Sequence, residues 1–271
     1  AATEMEFTLI DDNQDQPGAP TNPVTGRPVS NSAILSVRQL DSFDAYFTAL
    51  YEACAQMGIP ADTVISESGL GQFEVNLMHQ DAMRTADDAW LFKTLVRGLA
   101  RRFGFAATFM AKPIADEPGS AMHIHHSVLD LETRRNMFAG PQGGETDAFA
   151  HFIGGLQRYL PSAIAVMAPY VNSYRRYVRD HAAPINLEWA RDNRTTGIRI
   201  PISDPEARRV ENRIGGMDCN PYLGIAASLA CGYLGLVNKV TPAGQFSGDA
   251  YEGEPDIPQV LGSALDLFDA A

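Results

Sequence analysis

The sequence predicts an α+β fold. Strand-like and helix-like segments follow one another without a regular βαβ alternation, which argues against a doubly wound parallel sheet. Strand periodicity is clearest from Thr3 to Ile10, where Met5, Phe7 and Leu9 alternate with Glu4, Glu6 and Thr8. Helical periodicity is clearest in Phe43, Phe47, Leu50, Cys54 and Met57. These predict a core-facing helix that opens at Asp41 or Ser42 and is stopped by Gly58 and Pro60.

The remaining elements follow in order. The chain starts inside a sheet, so we expect protein upstream of it. Residues 11 to 33, rich in Asp, Asn, Gly and Pro, read as loop. A strand and turn follow at Val64 to Leu77, then a helix from about Asp81 that ends before Gly104. Further strands are expected at 105 to 110, 121 to 129, 196 to 202 and 208 to 213, and further helices near 146 to 160, 221 to 238 and 257 to 269.

Bulk properties narrow the function. The 271 residues are 45% apolar and 20% charged, an ordinary globular balance for one catalytic domain. A formal charge of −12, from 33 acidic and 21 basic residues, argues against nucleic acid as the main partner. Two local basic clusters remain suited to nucleotide phosphates: Arg175, Arg176 and Arg179, and the set Arg194, Arg199, Arg208, Arg209 and Arg213. Cys54, Cys219 and Cys231 are too few and too scattered for a disulfide framework or a zinc site, so a cytoplasmic setting is expected. No uninterrupted apolar stretch reaches the roughly 18 to 20 residues of a membrane span, and no membrane partner is expected.

Four segments carry candidate chemistry. Glu4 and Glu6, two apart on a strand, project from one face, and two like charges there ask for a cation. A solvated outer strand face would look the same. Glu67 and Glu74 flank a Gly-containing turn, with Phe73, Val75 and Leu77 alternating against Glu74 and Asn76; a plain surface turn is the competing reading. In Met122-His123-Ile124-His125-His126-Ser127, alternation puts His123, His125 and Ser127 on one face. Arg209, Glu211 and Arg213 share a face in the same way, as an ion-pair ladder or as a carboxylate for metal between guanidiniums for phosphate. Taken together, oxygen ligands with one histidine suit Mg²⁺ or Mn²⁺, and the arginines suit a phosphoryl group in transfer.

In this order the segments resemble the glutamine synthetase family. The resemblance runs through Glu4-Met5-Glu6-Phe7, Glu67-Ser68-Gly69-Leu70-Gly71-Gln72-Phe73-Glu74, Phe109-Met110-Ala111-Lys112-Pro113 and Gly119-Ser120-Ala121-Met122-His123-Ile124-His125. It continues through Asn172-Ser173-Tyr174-Arg175-Arg176, Asn193 to Pro201, Arg209 to Arg213, and Asn220-Pro221-Tyr222-Leu223. It implies a catalytic domain over 1–271 with a curved, mainly antiparallel split-barrel sheet and packed helices. The family's N-terminal β-grasp-type domain and C-terminal end would lie outside this chain, and the whole protein would be a ring-forming homo-oligomer.

The resemblance further implies two metal sites, Glu6, Glu67 and Glu74 for one and Glu4, His123 and Glu211 for the other. It implies that Arg176 and Arg213 bind glutamate, with Gly119 contributing backbone. Arg194 and Arg199 would face the phosphoryl group, and His125, Ser127 and Arg209 would serve ATP. Two departures bear on the substrate. Pro118 stands where many members have Asn, and Ala182, in Ala182-Ala183-Pro184, stands where ammonia-using members carry a flap glutamate. The expected activity is therefore ATP-dependent joining of the glutamate side chain to an organic primary amine. Glutamine synthesis from ammonia, a catalytically silent scaffold or regulator, and a guanidino-group kinase are the alternatives.

Overall fold

The computed structural model describes residues 1–11, 13, 18–31 and 34–271. Part of the loop expected over 11 to 33 lies outside the described residues. Within it, Asp11 bridges Gly18 and Thr21 bridges Pro28.

Eight strands form one sheet: β1 (Ala2–Ile10), β2 (Ala61–Ser66), β3 (Gln72–Leu77), β4 (Ala106–Thr108), β5 (Met122–His126), β6 (Trp189–Arg191), β7 (Ile198–Ile200) and β8 (Val210–Asn212). Their order is β2-β3-β1-β5-β8-β7-β6, with β4 also paired to β1. All pairs are antiparallel except β6 with β7. The sheet is open, ending on β2 and β6, which agrees with the expected mainly antiparallel, split architecture.

The alternation in β1 has its predicted consequence. Met5, Phe7 and Leu9 are fully buried, and they pack with Phe73, Val75, Met122 and Ile124 from neighbouring strands. Helices α2 (Asp44–Met57) and α3 (Ala82–Arg102) cover that face, supplying Phe47, Leu50, Phe92 and Val96. A second apolar cluster lies around α4 (Asp147–Met167), with Phe152, Leu156, Ile198, Val210 and Ile214. The opposite face of the central strands is thereby left to polar side chains.

Several boundaries differ from expectation for local reasons. Ser36 accepts a hydrogen bond from Gln39 N and opens an extra helix, α1 (Val37–Ser42), so the chain breaks at Phe43 and α2 starts there. Met57, expected in the core, is 43% exposed, because the helix ends one residue later at Gly58, whose φ is 70°. Helix α4 continues past Pro161 to Met167, since buried Leu160, Ile164 and Met167 hold the following turns against the second cluster. The short α5 (Val171–Tyr174) and β6 were not expected at all.

Helices α6 (Pro221–Asn238) and α7 (Leu261–Asp269) complete the chain. By length and composition α6 could cross a membrane. Here it lies against α4, with glycines at the crossing: a Cβ on Gly235 would sit 2.5 Å from the Gly155 Cα.

Candidate active site

Strand register assembles the site. Glu6 lies opposite Glu74 across β1 and β3, and Glu4 lies opposite His123 across β1 and β5. His125 then lies opposite Glu211, and Glu211 opposite Arg199. Glu4 and Glu6 on β1, and His123 and His125 on β5, are each two residues apart, so the period-2 pleat puts each pair on the polar face, and the cross-strand register sets Glu74, Glu211 and Arg199 beside them. Five strands contribute to one row.

Contacts within the row are short. Glu4 takes His123 Nδ1 at 2.6 Å on one oxygen and His125 Nε2 at 2.8 Å on the other. Arg209 Nε donates to His125 Nδ1 at 3.3 Å, so Nε2 carries the hydrogen given to Glu4. Glu211, fully buried, accepts from Arg213 Nη1 at 2.6 Å and from Arg199 Nη1 at 2.7 Å. Glu6 accepts from the Ala121 backbone N–H at 2.7 Å and from Gln72 Nε2 at 3.4 Å.

Charge in this row is unbalanced. Burial, then repulsion from Glu4, Glu6, Glu67 and Glu211, pushes the Glu74 carboxyl up to about 10. Burial and the charge of Glu67 push Glu6 up to about 8, against the hydrogen bond from Ala121. Glu67 is raised as well, mainly by burial. Burial would also raise Glu4, but hydrogen bonds from His123 and His125 hold it well below the usual range. Burial lowers His123 to about 4, with Arg213 adding to the effect.

These residues fit a divalent cation. Raised carboxyls that repel one another are what a bound cation relieves. His123 gives the hydrogen on Nδ1 to Glu4, while its Nε2 is buried with no hydrogen-bond partner. That is the form in which a neutral imidazole ligates a metal. Among the described residues, two groups have ligand atoms within 4.8 Å of one another: Glu4, Glu74 and His123, and Glu4, His125 and Glu211.

These candidate groups are not the pairings that the family resemblance implies, although His123 Nδ1 also lies 3.7 Å from Glu211 Oε1. Glu4 belongs to both sets, because its two oxygens hold both histidines, and that draws in His125. Glu6 and Glu67 stand to one side, on the wall of a small cavity of about 20 Å³ that Gln72, Gly119, Arg176 and Ala182 also line. A Cβ on Gly119 would come within 2.7 Å of Arg176 Cγ, so only glycine permits that approach. Arg176 is 1% exposed, held by the backbone carbonyls of Ile214 and Arg213, each at 2.9 Å.

On the other side of Glu4 opens a cleft of about 950 Å³, whose walls include His125, Ser127 and Arg209. Ser127 is exposed there and donates to the Arg208 carbonyl at 3.3 Å. Arg194 is exposed, and its charge acts on Glu67.

Three contributors were not singled out from sequence. Gln72 ties Glu6 to the Gly119 carbonyl and the Ser120 hydroxyl. The Glu117 carboxylate accepts from Leu70 N at 3.1 Å and so holds the Glu67 turn. Asp192 accepts from Arg199 Nη2 at 2.5 Å. Gln72 lay inside a recognised segment. Glu117, beside Asp116, and Asp192 lie in polar loops and carried no local signal.

Known proteins resemble this chain along its whole length. The family model "Glutamine synthetase, catalytic domain" matches residues 1–271. The chain is 37% identical over 257 residues to gamma-glutamylputrescine synthetase PuuA of Escherichia coli (strain K12), covering 93% of this chain and 54% of that protein. It is 35% identical over 272 residues to a glutamate–isopropylamine ligase of Pseudomonas sp, covering 98% and 58%. It is also 35% identical over 253 residues to the glutamine synthetase of Frankia alni, covering 90% and 53%. The chain thus spans about half the length of the curated relatives it matches. The solved structure of apo GmaS without ligand superposes with a TM-score of 0.85 at 29% identity, over 99% of this chain and 62% of that one. A catalytic-domain model that matches from the first residue to the last, over a site of this composition, means that the chain belongs to the glutamine synthetase family.

Proposed function

We propose that this chain carries the catalytic centre of an ATP-dependent ligase that joins the side-chain carboxylate of glutamate to an organic primary amine. The observation that supports it best is the row itself, in which carboxylates, imidazoles and arginines from five strands converge between a large cleft and a small cavity.

In this reading ATP enters the large cleft, where His125, Ser127 and Arg209 meet it. Glutamate enters from the cavity side. Arg176 uses two of its five N–H groups on backbone carbonyls and keeps three for a carboxylate, with Arg213 and the Gly119 backbone beside it. Divalent ions held by Glu4, Glu74, Glu211 and His123, and by Glu6 and Glu67, would neutralise charge on the phosphoryl group. The γ-carboxylate oxygen attacks the terminal phosphorus and the bond to ADP breaks, with Arg194 and Arg199 facing the charge that develops. The amine then attacks the acyl carbon, phosphate leaves, and the nitrogen sheds a proton. Activation is needed because a free carboxylate has no good leaving group.

Ala182 supports an amine larger than ammonia, since it lines the cavity beside Gly119 and Arg176 with a methyl group and no charge. The names of two relatives, a gamma-glutamylputrescine synthetase and a glutamate–isopropylamine ligase, support the same acceptor class. Ammonia is the second reading, supported by the glutamine synthetases among the relatives. Residues 1–271 act in this proposal as one catalytic domain, within a ring-forming cytoplasmic homo-oligomer.

The test is glutamate-dependent phosphate release by the whole protein that carries this chain, with ATP, Mg²⁺ or Mn²⁺, and a panel of amines including ammonia. The γ-glutamyl amide is identified by mass. Absence of product with every acceptor, from a folded protein that binds metal, sinks the ligase reading and leaves a silent relative.

A further inference from the structure

Arg199 lies between two carboxylates. Its Nη1 donates to Glu211 at 2.7 Å and its Nη2 to Asp192 at 2.5 Å, while its Nε is buried with no partner. The two acids differ in their other duties. Glu211 also holds Arg213 and belongs to one of the two ligand groups. Asp192 has Arg199 as its single side-chain partner among the described residues.

The backbone around Asp192 is set for this contact. Its φ of 47° is left-handed, a conformation that Asp and Asn tolerate better than most side chains. Asp192 N donates to the Ile200 carbonyl at 2.9 Å, just past the parallel β6–β7 pair. The turn that follows is pinned as well. Asn193 Oδ1 accepts from Thr195 N, and Asn193 Nδ2 donates to the Gly248 carbonyl. A rigid turn therefore presents one carboxylate to one guanidinium.

We infer that Asp192 is a positioning residue that fixes Arg199 where the phosphoryl group passes. This rests on the role proposed for Arg199 above. A long, flexible arginine delivers charge stabilisation only when its head is held before the reaction begins. Glu211 alone is a poor anchor, because Arg213 shares it and a divalent ion would compete for its oxygens. Asp192, half-exposed and outside both ligand groups, keeps its hold whatever Glu211 binds.

The test is a double-mutant cycle in the whole protein with Asp192→Asn, Arg199→Ala and the pair. Asparagine keeps the left-handed turn and removes the charge. We expect Asp192→Asn to lower kcat by about 10- to 100-fold, the usual effect of losing a residue that orients a ligand-shell group. The KM for ATP should change less than about twofold, since only transition-state stabilisation is lost. The pair should be no slower than Arg199→Ala alone. Asp192→Gly, which also accepts a positive φ, should repeat the result and guards against misfolding of the first variant. A wild-type kcat in both Asp192 variants, with Arg199→Ala slow, overturns the positioning role and leaves the reaction intact. So does an equal loss in the wild-type and Arg199→Ala backgrounds. A wild-type rate in Arg199→Ala itself overturns the role of Arg199 in the reaction, and this inference with it.

Discussion

Glu6 and Glu74 stand directly opposite one another across the β1–β3 pair, and both are less than a tenth exposed. Like charges so placed destabilise a sheet unless something compensates. Both carboxyls are raised, to about 8 and about 10, well above the value near 4.3 expected in an unfolded chain. The folded state therefore binds more protons than the unfolded one above about pH 4, and stability falls as pH rises. Their contribution is complete below about 4.3 and lost as pH passes 8 for Glu6 and 10 for Glu74. Metal-free protein should melt at a lower temperature at pH 9 than at pH 6. Saturating Mg²⁺ or Mn²⁺ should raise the melting temperature, and more so at pH 9, because ionised carboxylates are the ligands. Glu74→Gln should flatten the pH dependence and weaken the metal response. An identical melting temperature with and without metal at both pH values would rule out the metal assignment.

Arg199→Ala and Arg194→Ala should each lower kcat far more than they raise the KM for ATP. Removing one donor to developing charge costs about 2.7 to 4 kcal/mol of barrier, or roughly 100- to 1000-fold. Steady-state kinetics at saturating glutamate separates the two parameters. A variant that changed only the ATP KM would move that arginine to ground-state nucleotide binding.

Two glycines in helices should respond to alanine with opposite signs. A Cβ on Gly235 of α6 would lie 2.2 Å from the His151 carbonyl oxygen and 2.5 Å from the Gly155 Cα, and backbone cannot step aside as a side chain can. Gly235→Ala should destabilise by about 1 to 3 kcal/mol, through forced separation of α4 and α6. Gly98, within α3, would place its Cβ in open space. Gly98→Ala should stabilise by about 0.5 to 1 kcal/mol. Urea unfolding of both variants reads the difference, and equal effects would contradict the close helix crossing.

Much of the site was legible because a strand's pleat reports itself in sequence. Glu4 with Glu6, Phe73 against Glu74, and His123 with His125 each announced a polar face opposite an apolar one. What pairs with what was not legible. The opposition of Glu6 to Glu74, and of His125 to Glu211, is a long-range register that no local pattern encodes. Shared ligand chemistry and the family resemblance, not a local pattern, put those segments into one site. The three-residue β6 is too short to show a period, and the helix break at Phe43 depends on the Ser36 cap. The helix expected near 146 to 160 runs on to Met167, because burial of Ile164 and Met167 outweighs the hydrogen bond that Pro161 forfeits. Asp192 was invisible for a related reason: it lies in the turn after β6, its partner is seven residues on in β7, and its left-handed φ leaves no trace in composition.

In the proposed reaction the choice of acceptor rests on Ala182. It lies on the cavity wall with Glu67, Gly119 and Arg176, its φ is 62°, and Asp180, two residues earlier, is also left-handed at 60°. Ammonia is almost all ammonium at neutral pH, so a site that uses it benefits from a carboxylate that attracts the cation and takes its proton. A methyl group does neither. It is smaller than a glutamate side chain and so obstructs a longer acceptor less, and an alkyl chain gains about 0.8 kcal/mol for each methylene it buries. The whole protein should therefore show a higher kcat/KM for methylamine, ethanolamine or putrescine than for ammonia at one pH. Ala182→Glu should move the ratio toward ammonia by roughly tenfold or more, since 1.4 kcal/mol of differential stabilisation is a factor of ten. Asp180 is exposed on the same turn and is the nearby acid able to stand in for a flap glutamate. Asp180→Asn separates the two explanations. If ammonia is the best substrate and Asp180→Asn abolishes that preference, the carboxylate comes from Asp180 and the chain makes glutamine. If ammonia is poor in the wild type and improves only in Ala182→Glu, the small side chain at position 182 sets the acceptor.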